Sequence, residues 1–555
     1  MKILIYILIF FSQILSVSLS ISEEYFEPKK SFSGSYLSAL HARSNNDSSS
    51  ASKFFEQTLK FDPDNESLIF QTFVQKLMTG EIEEAYLISK RLNNNRDLTL
   101  VYLVNSIIEY KKGNFFQAQK EVDKINNESM IGFSLPLLRA WSRVPIEDYK
   151  YTFKALTPYT EQEEWLTIYN INCGMINEHF KKKKQALDCY REVSKNINDQ
   201  PLYFLKIVVD ALVRLNRKNE AEGLIKSFKL QRSFSPLLNH FLDKYSLNLE
   251  PQKISERIGF AETMRTTMHL QMSMNRNNPG ILSLIYAQLA LYLNTDLTLL
   301  KYDLANILRN RGQYQSANKI LNTVGLENPG YAMSQLRIAE NLVVDNKLEK
   351  AISILISLSE KETELPSPLI SLGDIYRSEG KFLKAIDFYN KAFNSYPKGD
   401  TQHWSLYYSR GIAFERAMQW GLAEKDFKKS LELNPGEPEV LNYLGYSWLD
   451  QGKNLEQARD MIQLAAKKRP KDGYIIDSLG WSMFLMGEYE NAVSYLEKAV
   501  SLRPADTTIN EHLGDAYWQV GRKTEAIFQW NHALITNKEK EREILIKQKI
   551  KNGFR

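Results

Sequence analysis

The sequence predicts an all-α protein, built as a superhelix of about 12–14 stacked helix pairs in one array or in two halves. Three observations lead to this fold class. The 555 residues far exceed one domain of roughly 100–200 residues. Glycine and proline number only 25 and 17, which favours long helices over a β protein with many turns. Small residues recur at intervals of about 34 positions, which indicates a repeated structural unit.

Charge is distributed unevenly along the chain. There are 71 Lys and Arg residues against 66 Asp and Glu residues, a net charge of +5. Seven basic and three acidic side chains fall within residues 536–555, so the remaining sequence is close to neutral. A nucleic-acid-binding body would need a basic surface, and we therefore expect no nucleic-acid partner.

The N-terminus has the parts of a secretory signal peptide. The basic start Met1-Lys2 precedes the apolar run Ile3–Leu19, and serines follow at 18, 20 and 22. Cleavage after Ser20 or Ser22 fits equally well, which gives a signal peptide at 1–22 and a mature linker at 23–31. The sequence thus predicts a periplasmic protein. In the alternative, the apolar run is kept as an anchor helix in the inner membrane, because a run of this length can just span a bilayer.

The C-terminal half repeats with a period of 34 to 38 residues. An alanine recurs at positions 317, 351, 385, 423, 458, 492 and 526. A small residue stands twelve or thirteen positions before each alanine: Ala305, Ala339, Gly373, Gly411, Gly445, Gly480 and Gly514. A proline stands twelve positions after five of them: Pro329, Pro397, Pro435, Pro470 and Pro504. Each unit is therefore expected to hold two helices of about 14 residues and to be closed by the proline, which cannot continue a helix.

Close packing explains why small residues recur. We expect the Gly or Ala on the first helix to face the Ala on the second, with large residues such as Tyr389 and Trp530 at the flanks. A glycine between the helices, as in Glu379-Gly380-Lys381, can take the positive φ that the tight turn needs.

The N-terminal half keeps the period with less regular residues. Ala51, Ala85, Ala118, Ala186 and Ala221 continue it, and a degenerate repeat centred near Thr152 fills the one gap. This gives a degenerate array at 32–230, an irregular helical connection at 231–297, a regular array at 298–540 and a basic tail at 541–555. Within the connection, the apolar run Leu282–Leu293 predicts a buried helix. Whether the connection holds divergent repeats or a break between two halves stays open.

These repeats resemble the tetratricopeptide (TPR) pattern. The matching runs are Leu369-x-x-Leu372-Gly373-x-x-Tyr376…Ala385-x-x-x-Tyr389…Pro397 and Asn510-x-x-Leu513-Gly514-x-x-Tyr517…Ala526-x-x-x-Trp530. The order of signal peptide, degenerate repeats and regular repeats is similar to that of exported TPR proteins of alphaproteobacteria. The C-terminal repeats are similar to those of TPR lipoproteins that act as scaffolds or protease adaptors at the outer membrane.

The resemblance implies a TPR solenoid and a non-catalytic scaffold or adaptor that binds proteins or peptides, in envelope or outer-membrane protein handling. A structural tether of an inner-membrane complex is the alternative. This chain departs from the lipoproteins because its two cysteines, Cys173 and Cys189, are far from the N-terminus and cannot accept the lipid.

Sequence motifs of enzymes are absent. The chain has no GxGxxG, GxxxxGK[ST], GxSxG or HExxH run, and its seven histidines are scattered without the spacing of a zinc site. We therefore expect no enzyme activity, no cofactor and no metal.

A binding groove is predicted on the first helices, because stacked helix pairs curve so that these helices line the concave side. The fifth, ninth and twelfth positions, and once the second, should project into it. This candidate partner-binding set is Tyr408, Glu415, Asn442, Tyr446, Tyr474, Asp477, Trp481, Glu511, Asp515 and Trp518. Aromatic residues beside carboxylates favour a peptide-binding surface. In the alternative, Trp481 and Trp518 pack between neighbouring repeats and the acidic residues are merely solvated.

A TPR clamp for acidic peptide tails is not expected. Such clamps use Lys and Asn at matched positions of the first helices, and here these positions hold Tyr408, Ile412, Asn442 and Tyr446.

The tail and the cysteines carry two further expectations. Residues 538–555 predict a capping helix with a core of Ile544, Leu545 and Ile546, and the basic end offers a second possibility, contact with anionic lipid.

Cys173 and Cys189 lie on paired helices at similar distances from the turn, so they form either a disulfide or two buried free thiols.

Overall fold

A computed structural model describes residues 31–92, 98–231, 235–247, 251, 253–274, 280–396 and 403–554. The predicted signal peptide, most of the linker, Pro397 and Arg555 lie outside these residues. Within them every regular element is helical and no strand occurs. The predicted all-α class is therefore confirmed.

Thirty α-helices follow one another along the described chain. The first fifteen are α1 Phe32–Ser44, α2 Ser48–Leu59, α3 Glu66–Thr79, α4 Ile82–Ser89, α5 Thr99–Lys111, α6 Phe115–Asp123, α7 Leu135–Arg143, α8 Tyr149–Leu156, α9 Leu166–His179, α10 Lys183–Lys195, α11 Leu202–Arg214, α12 Lys218–Gln231, α13 Pro236–Leu247, α14 Glu256–Met274 and α15 Ile281–Leu293. The others are α16 Thr298–Asn310, α17 Tyr314–Leu321, α18 Tyr331–Val344, α19 Leu348–Lys361, α20 Ser367–Ser378, α21 Phe382–Asn394, α22 Trp404–Arg416, α23 Trp420–Leu433, α24 Pro438–Asp450, α25 Leu455–Lys468, α26 Gly473–Leu485, α27 Tyr489–Leu502, α28 Thr507–Gln519, α29 Lys523–Thr536 and α30 Lys540–Asn552.

The chain divides into two compact units. One comprises the described residues of Met1–Arg232 and Leu242–Asn341, and the other those of Ser233–Phe241 and Leu342–Arg555. Helices α13 and α18 each contribute to both. The predicted repeat that starts near 298 therefore falls in the first unit, the repeat that starts near 332 is divided between the two units, and the second unit contains α19–α30.

At the glycine positions of the first helices, an aromatic or branched side chain of the second helix lies closest, and only at Gly445 is the predicted alanine, Ala458, equally near. A Cβ at Gly373 would lie 2.4 Å from the Tyr389 ring, and one at Gly514 would lie 2.4 Å from the Trp530 ring. Both rings stand four residues after the repeating alanine, one helical turn further along the second helix. Glycine is required because the ring occupies the space that a side chain would need.

Local signals start and end the helices of the second unit. The Asp506 carboxylate accepts hydrogen bonds from the backbone N–H groups of Thr508 and Ile509 at 2.9 and 3.1 Å, and so caps the N-terminus of α28. Between the paired helices, Gly487 and Gly521 have φ values of +80° and +81°. The predicted glycine turns are therefore present, in the left-handed conformation that only glycine adopts without strain.

Helices α14 and α15 cover the first helices of the N-terminal pairs. Gln288 Nε2 on α15 donates to the Met78 carbonyl of α3 at 3.1 Å, and the Tyr286 hydroxyl lies 3.2 Å from Ser134 Oγ. On α14, the Phe260 ring centroid lies 4.5 Å from that of Tyr110 on α5. The side of the first unit on which α3, α5, α7 and α9 would bind a ligand is therefore occupied by the chain itself.

This packing shows how part of the predicted connection is folded. The run Leu282–Leu293 lies in α15, which is a buried helix as predicted, since residues on several of its sides are inaccessible to solvent. Helices α14 and α15 form a pair, but they lie against the array and do not only extend it. The 34-residue register fails here because these helices have contacts that an ordinary repeat lacks.

The two cysteines are joined in a disulfide. Cys173 on α9 and Cys189 on α10 have Cα atoms 6.0 Å apart, within the range that a disulfide can bridge. The sequence allowed a disulfide or two free thiols, and the structure has the disulfide. The bond links the two helices of one repeat.

Reducing this disulfide should destabilise the first unit by about 3 kcal/mol, because the bond closes a loop of sequence separation 16 and restricts the unfolded chain. Urea unfolding with and without dithiothreitol measures the change. The control is C173A/C189A, whose stability should not respond to the reductant. Two reactive thiols in the denatured, unreduced protein would contradict the prediction.

Replacing Gly259 should displace α14. A Cβ at this position would lie 1.8 Å from the Trp141 ring on α7, whereas one at Gly223 on α12 would meet no atom within 4 Å. Gly259→Ala should therefore destabilise the first unit by about 1–3 kcal/mol through overpacking. Gly223→Ala should stabilise the first unit by up to about 1 kcal/mol, since alanine has a higher helix propensity than glycine at an exposed position. Equal effects of the two variants in urea unfolding would show that α14 does not pack against Trp141.

Candidate functional site

An open cavity of about 360 Å³ lies on the first helices of the second unit. Helices α22, α24 and α26 and the N-terminal end of α28 line it. Five residues of the predicted set meet there: Glu415, Asn442, Tyr446, Tyr474 and Asp477. The sequence set omitted Arg416, Tyr443, Asp450 and Asp506, which also line it. We call this surface the α22–α28 groove.

Carboxylates dominate the charge of the α22–α28 groove. Glu415, Asp450, Asp477 and Asp506 line it together with a single cation, Arg416. Arg416 pairs with Glu415 at 3.4 Å, and the His512 ring nitrogen Nδ1 lies 3.0 Å from the Asp477 carboxylate. Asp450 has no ion-pair partner among the described residues. The groove is therefore negatively charged overall.

Tyrosines supply its apolar surface. Tyr443 and Tyr446 are half-buried, and burial raises the pKa of each to about 12, so both hydroxyls remain protonated at neutral pH. The Tyr443 hydroxyl donates to Glu415 at 3.1 Å. Tyr474 is 51% exposed and is thus the most accessible ring of the three. Tyr408 packs against Tyr443, with ring centroids 5.9 Å apart, and does not line the cavity.

Two predicted tryptophans pack within the array. The Trp481 ring stacks on Phe484 and on His512, with centroid distances of 4.6 and 4.0 Å. The Trp518 ring lies against Gly553, where a Cβ would come within 2.1 Å of it. Neither tryptophan lines the cavity, because Trp481 contacts His512 of the next first helix and Trp518 contacts Gly553 at the end of α30.

Glu511 and Asp515 are covered by the C-terminal helix α30. Lys549 Nζ donates to Glu511 Oε1 and to Asp515 Oδ2, both at 2.6 Å, and Arg542 Nε donates to Glu511 Oε2 at 2.8 Å. Trp530 Nε1 donates to the other oxygen of Asp515 at 2.9 Å. These two carboxylates are therefore buried and paired within the chain, apart from the open cavity.

Burial and neighbouring positive charge shift the pKa values of Glu511 and Asp515 in opposite directions. Burial would raise the pKa of Glu511, but hydrogen bonds from Lys549 and Arg542 hold it below its usual value. Burial raises the pKa of Asp515 to about 6, against the opposing charge of Lys549. Asp515 needs Lys549 in order to remain ionised at neutral pH.

The predicted capping helix is present but its core is smaller. Helix α30 packs against α29, and Ile546 is fully buried. Ile544 and Leu545 are 59% and 56% exposed, so assigning them to the core was wrong. A helix that contacts the array on one side buries only one of three consecutive residues.

The described residues contain no group of three or more His, Cys, Asp and Glu side chains that could hold a metal ion. In the same part of the chain, no helix combines the length and the apolarity needed to cross a membrane.

Comparison with known proteins identifies the repeats. Residues 367–398, 408–473 and 480–541 match the tetratricopeptide repeat family. A TPR repeat-containing protein of Pseudomonas aeruginosa is 27% identical over 215 residues, which cover 38% of this chain and 35% of that protein. Anaphase-promoting complex subunit 3 of Schizosaccharomyces pombe is 21% identical over 180 residues, which cover 32% of this chain and 27% of that one. The chain thus spans about a third of the length of these relatives.

Solved structures also match. The Cut9–Hcn1 hetero-tetramer of the APC/C has a TM-score of 0.41 and 15% identity, covering 96% of this chain and 98% of its own. A tetratricopeptide repeat protein from Parabacteroides merdae has a TM-score of 0.37 and 19% identity, covering 46% and 97% respectively.

The helix pairs and their glycine positions define a helical-repeat protein. More particularly, residues 367–398, 408–473 and 480–541 are similar to tetratricopeptide repeats, as the sequence pattern of this part of the chain indicated.

Removing Lys549 should loosen α30. Lys549→Met leaves the buried Asp515 without its cation, and breaking a buried pair in this way costs about 3 kcal/mol. The matched control is Lys547→Met on the same helix. Lys547 pairs with Glu543 at the surface, where both side chains are about half exposed, so its loss should change stability by less than about 1 kcal/mol.

Hydrogen exchange of α30 and urea unfolding of the full chain measure both effects. If the two lysine variants behave alike, the Lys549 contact does not hold α30 to the array.

Proposed function

We propose that this protein is a non-catalytic scaffold or adaptor that binds protein partners through the α22–α28 groove. The observation that carries the proposal is the open cavity itself, which combines the accessible Tyr474 with half-buried Tyr446 and hydrogen-bonding groups. Aromatic side chains in a groove with a polar surround are typical of protein-binding sites. In the first unit, the corresponding helices are covered by α14 and α15, so the groove of the second unit is the one available to a partner.

The proposal places the protein in the periplasm. The N-terminal sequence supports export, and the Cys173–Cys189 disulfide suits an oxidising compartment. The resemblance of the C-terminal repeats to outer-membrane scaffolds and protease adaptors favours a role in envelope protein handling. The alternative is a tether of an inner-membrane complex, with the N-terminal segment kept as an anchor.

Membrane contact through the C-terminal tail is not part of the proposal. Of the basic residues on which that expectation depended, Lys549 binds Glu511 and Asp515, and Lys547 pairs with Glu543. Lys549 therefore neutralises carboxylates of the chain and is poorly placed to bind a lipid headgroup as well.

The groove is tested by photo-crosslinking in envelope extract. A photoreactive phenylalanine analogue at position 474 should give discrete protein adducts. The same analogue at position 151 is the control, because Tyr151 is 54% exposed, close to the 51% of Tyr474, but lies on α8 of the first unit. Adducts at position 151 alone, or the same adducts at both positions, would contradict a partner site in the groove.

Sequencing the mature N-terminus separates the two locations. Cleavage of the signal peptide gives Ile21 or Glu23 as the first residue, and a retained anchor gives Met1. The periplasmic proposal predicts Ile21 or Glu23 in protein purified from the native envelope. Finding Met1 in that sample would favour the tether.

A further inference from the structure

If the proposed function is correct, the charges of the α22–α28 groove indicate whether its partner is acidic or basic. Four carboxylates and one guanidinium line the cavity. The guanidinium of Arg416 pairs with Glu415, Asp477 lies beside His512, and Asp506 caps α28, whereas Asp450 has no such partner among the described residues. An acidic or phosphorylated peptide would meet like charge throughout the cavity. A ligand with Lys or Arg side chains would meet opposite charge, which favours both its approach and its specificity.

Hydrogen-bonding capacity in the groove points to the same class of partner. Asp450 offers exposed carboxylate oxygens, and Asn442 adds an amide side chain to the same lining. Lys and Arg side chains are donors without acceptors, so they satisfy such groups without leaving unpaired acceptors of their own.

The chain itself shows how this helix face binds cations. Glu511 and Asp515 occupy the fifth and ninth positions of α28, and α30 pairs them with Arg542 and Lys549. Arg542 and Lys549 are seven residues apart, two turns of one helix, so both lie on the side of α30 that meets the array. Asp477 and Asn442 occupy the same fifth position on α26 and α24, where the groove is open.

We infer that the α22–α28 groove binds a lysine- or arginine-bearing segment of a partner protein, whose cations pair with the groove carboxylates much as Arg542 and Lys549 pair with those of α28. The segment packs its apolar side chains against Tyr446 and Tyr474. The site ends at α28, because Arg542 and Lys549 of the chain's own helix α30 already pair with the carboxylates of α28.

The test is selection of random 12-residue peptides, displayed on phage, against the immobilised full chain. The selected peptides should be enriched in Lys and Arg over Asp and Glu. Glu415→Gln/Asp450→Asn should weaken a selected synthetic peptide about tenfold or more in fluorescence anisotropy, and raising the salt concentration should weaken it too, since exposed ion pairs are screened.

Glu456→Gln/Glu490→Gln is the matched control, because it removes the same charge from exposed positions on the second helices α25 and α27. It should leave the affinity unchanged. Asp450→Asn alone, at an exposed residue, keeps the test valid if the double variant folds poorly.

The outcomes separate this inference from the proposed function. Neutral or acidic peptides, or basic peptides that bind the groove variant and the control equally, would overturn the inference. If such peptides still lose affinity in Tyr474→Ala, the groove remains a binding site and only the partner class is wrong. If no selected peptide responds to Tyr474→Ala, the proposed function fails as well.

Discussion

The close approach of paired helices is the constraint on which the rest of the structure depends. In the five repeats whose small residue is a glycine, a large side chain from the second helix lies directly over the first helix, as Trp530 lies over Gly514. Any Cβ at such a glycine would overlap the ring, so the two helices could not keep their distance. Because the pairs of the second unit are set in this way, its first helices α22, α24 and α26 line one shared cavity. The candidate groove is a property of these helices together, and no single repeat could form it.

The two units use the face of their first helices differently. In the first unit, α14 and α15 cover it, with Gly259 tightly packed beneath Trp141 and Phe260 against Tyr110. In the second unit, it is open over α22–α26 and closed only at α28 by the C-terminal helix. A covered face is stabilised by its own apolar contacts and has no surface left for a partner. The open face of the second unit bears the exposed Tyr474, so a partner can contact it there.

Much of this could be predicted from the sequence because the signals are local and repeated. The spacing of alanine, glycine and proline predicted the helix pairs, and the glycines at 487 and 521 predicted turns of positive φ. Counting positions on the first helices also found Asn442, Tyr446 and Asp477 in the groove. Three features of the structure could not be predicted in this way. The ring over each glycine, the covering of the first unit by α14 and α15, and the burial of Glu511 beneath α30 all depend on contacts between helices. Position counting within one repeat carries no information about them.

The pairing of α30 with α28 shows why the open groove ends where it does. Glu511 and Asp515 project from the last first-helix of the array, where no further repeat follows within the described residues. Two neighbouring buried carboxylates repel each other and lose solvation, so both can be ionised only if a cation lies beside them. Arg542 and Lys549 supply that charge, and Ile546 of the same helix fills the adjoining apolar space. The terminal helix therefore stabilises the array by neutralising charge as well as by covering apolar surface. Asp450, at the end of α24, has no such helix over it, and its charge remains available to a partner.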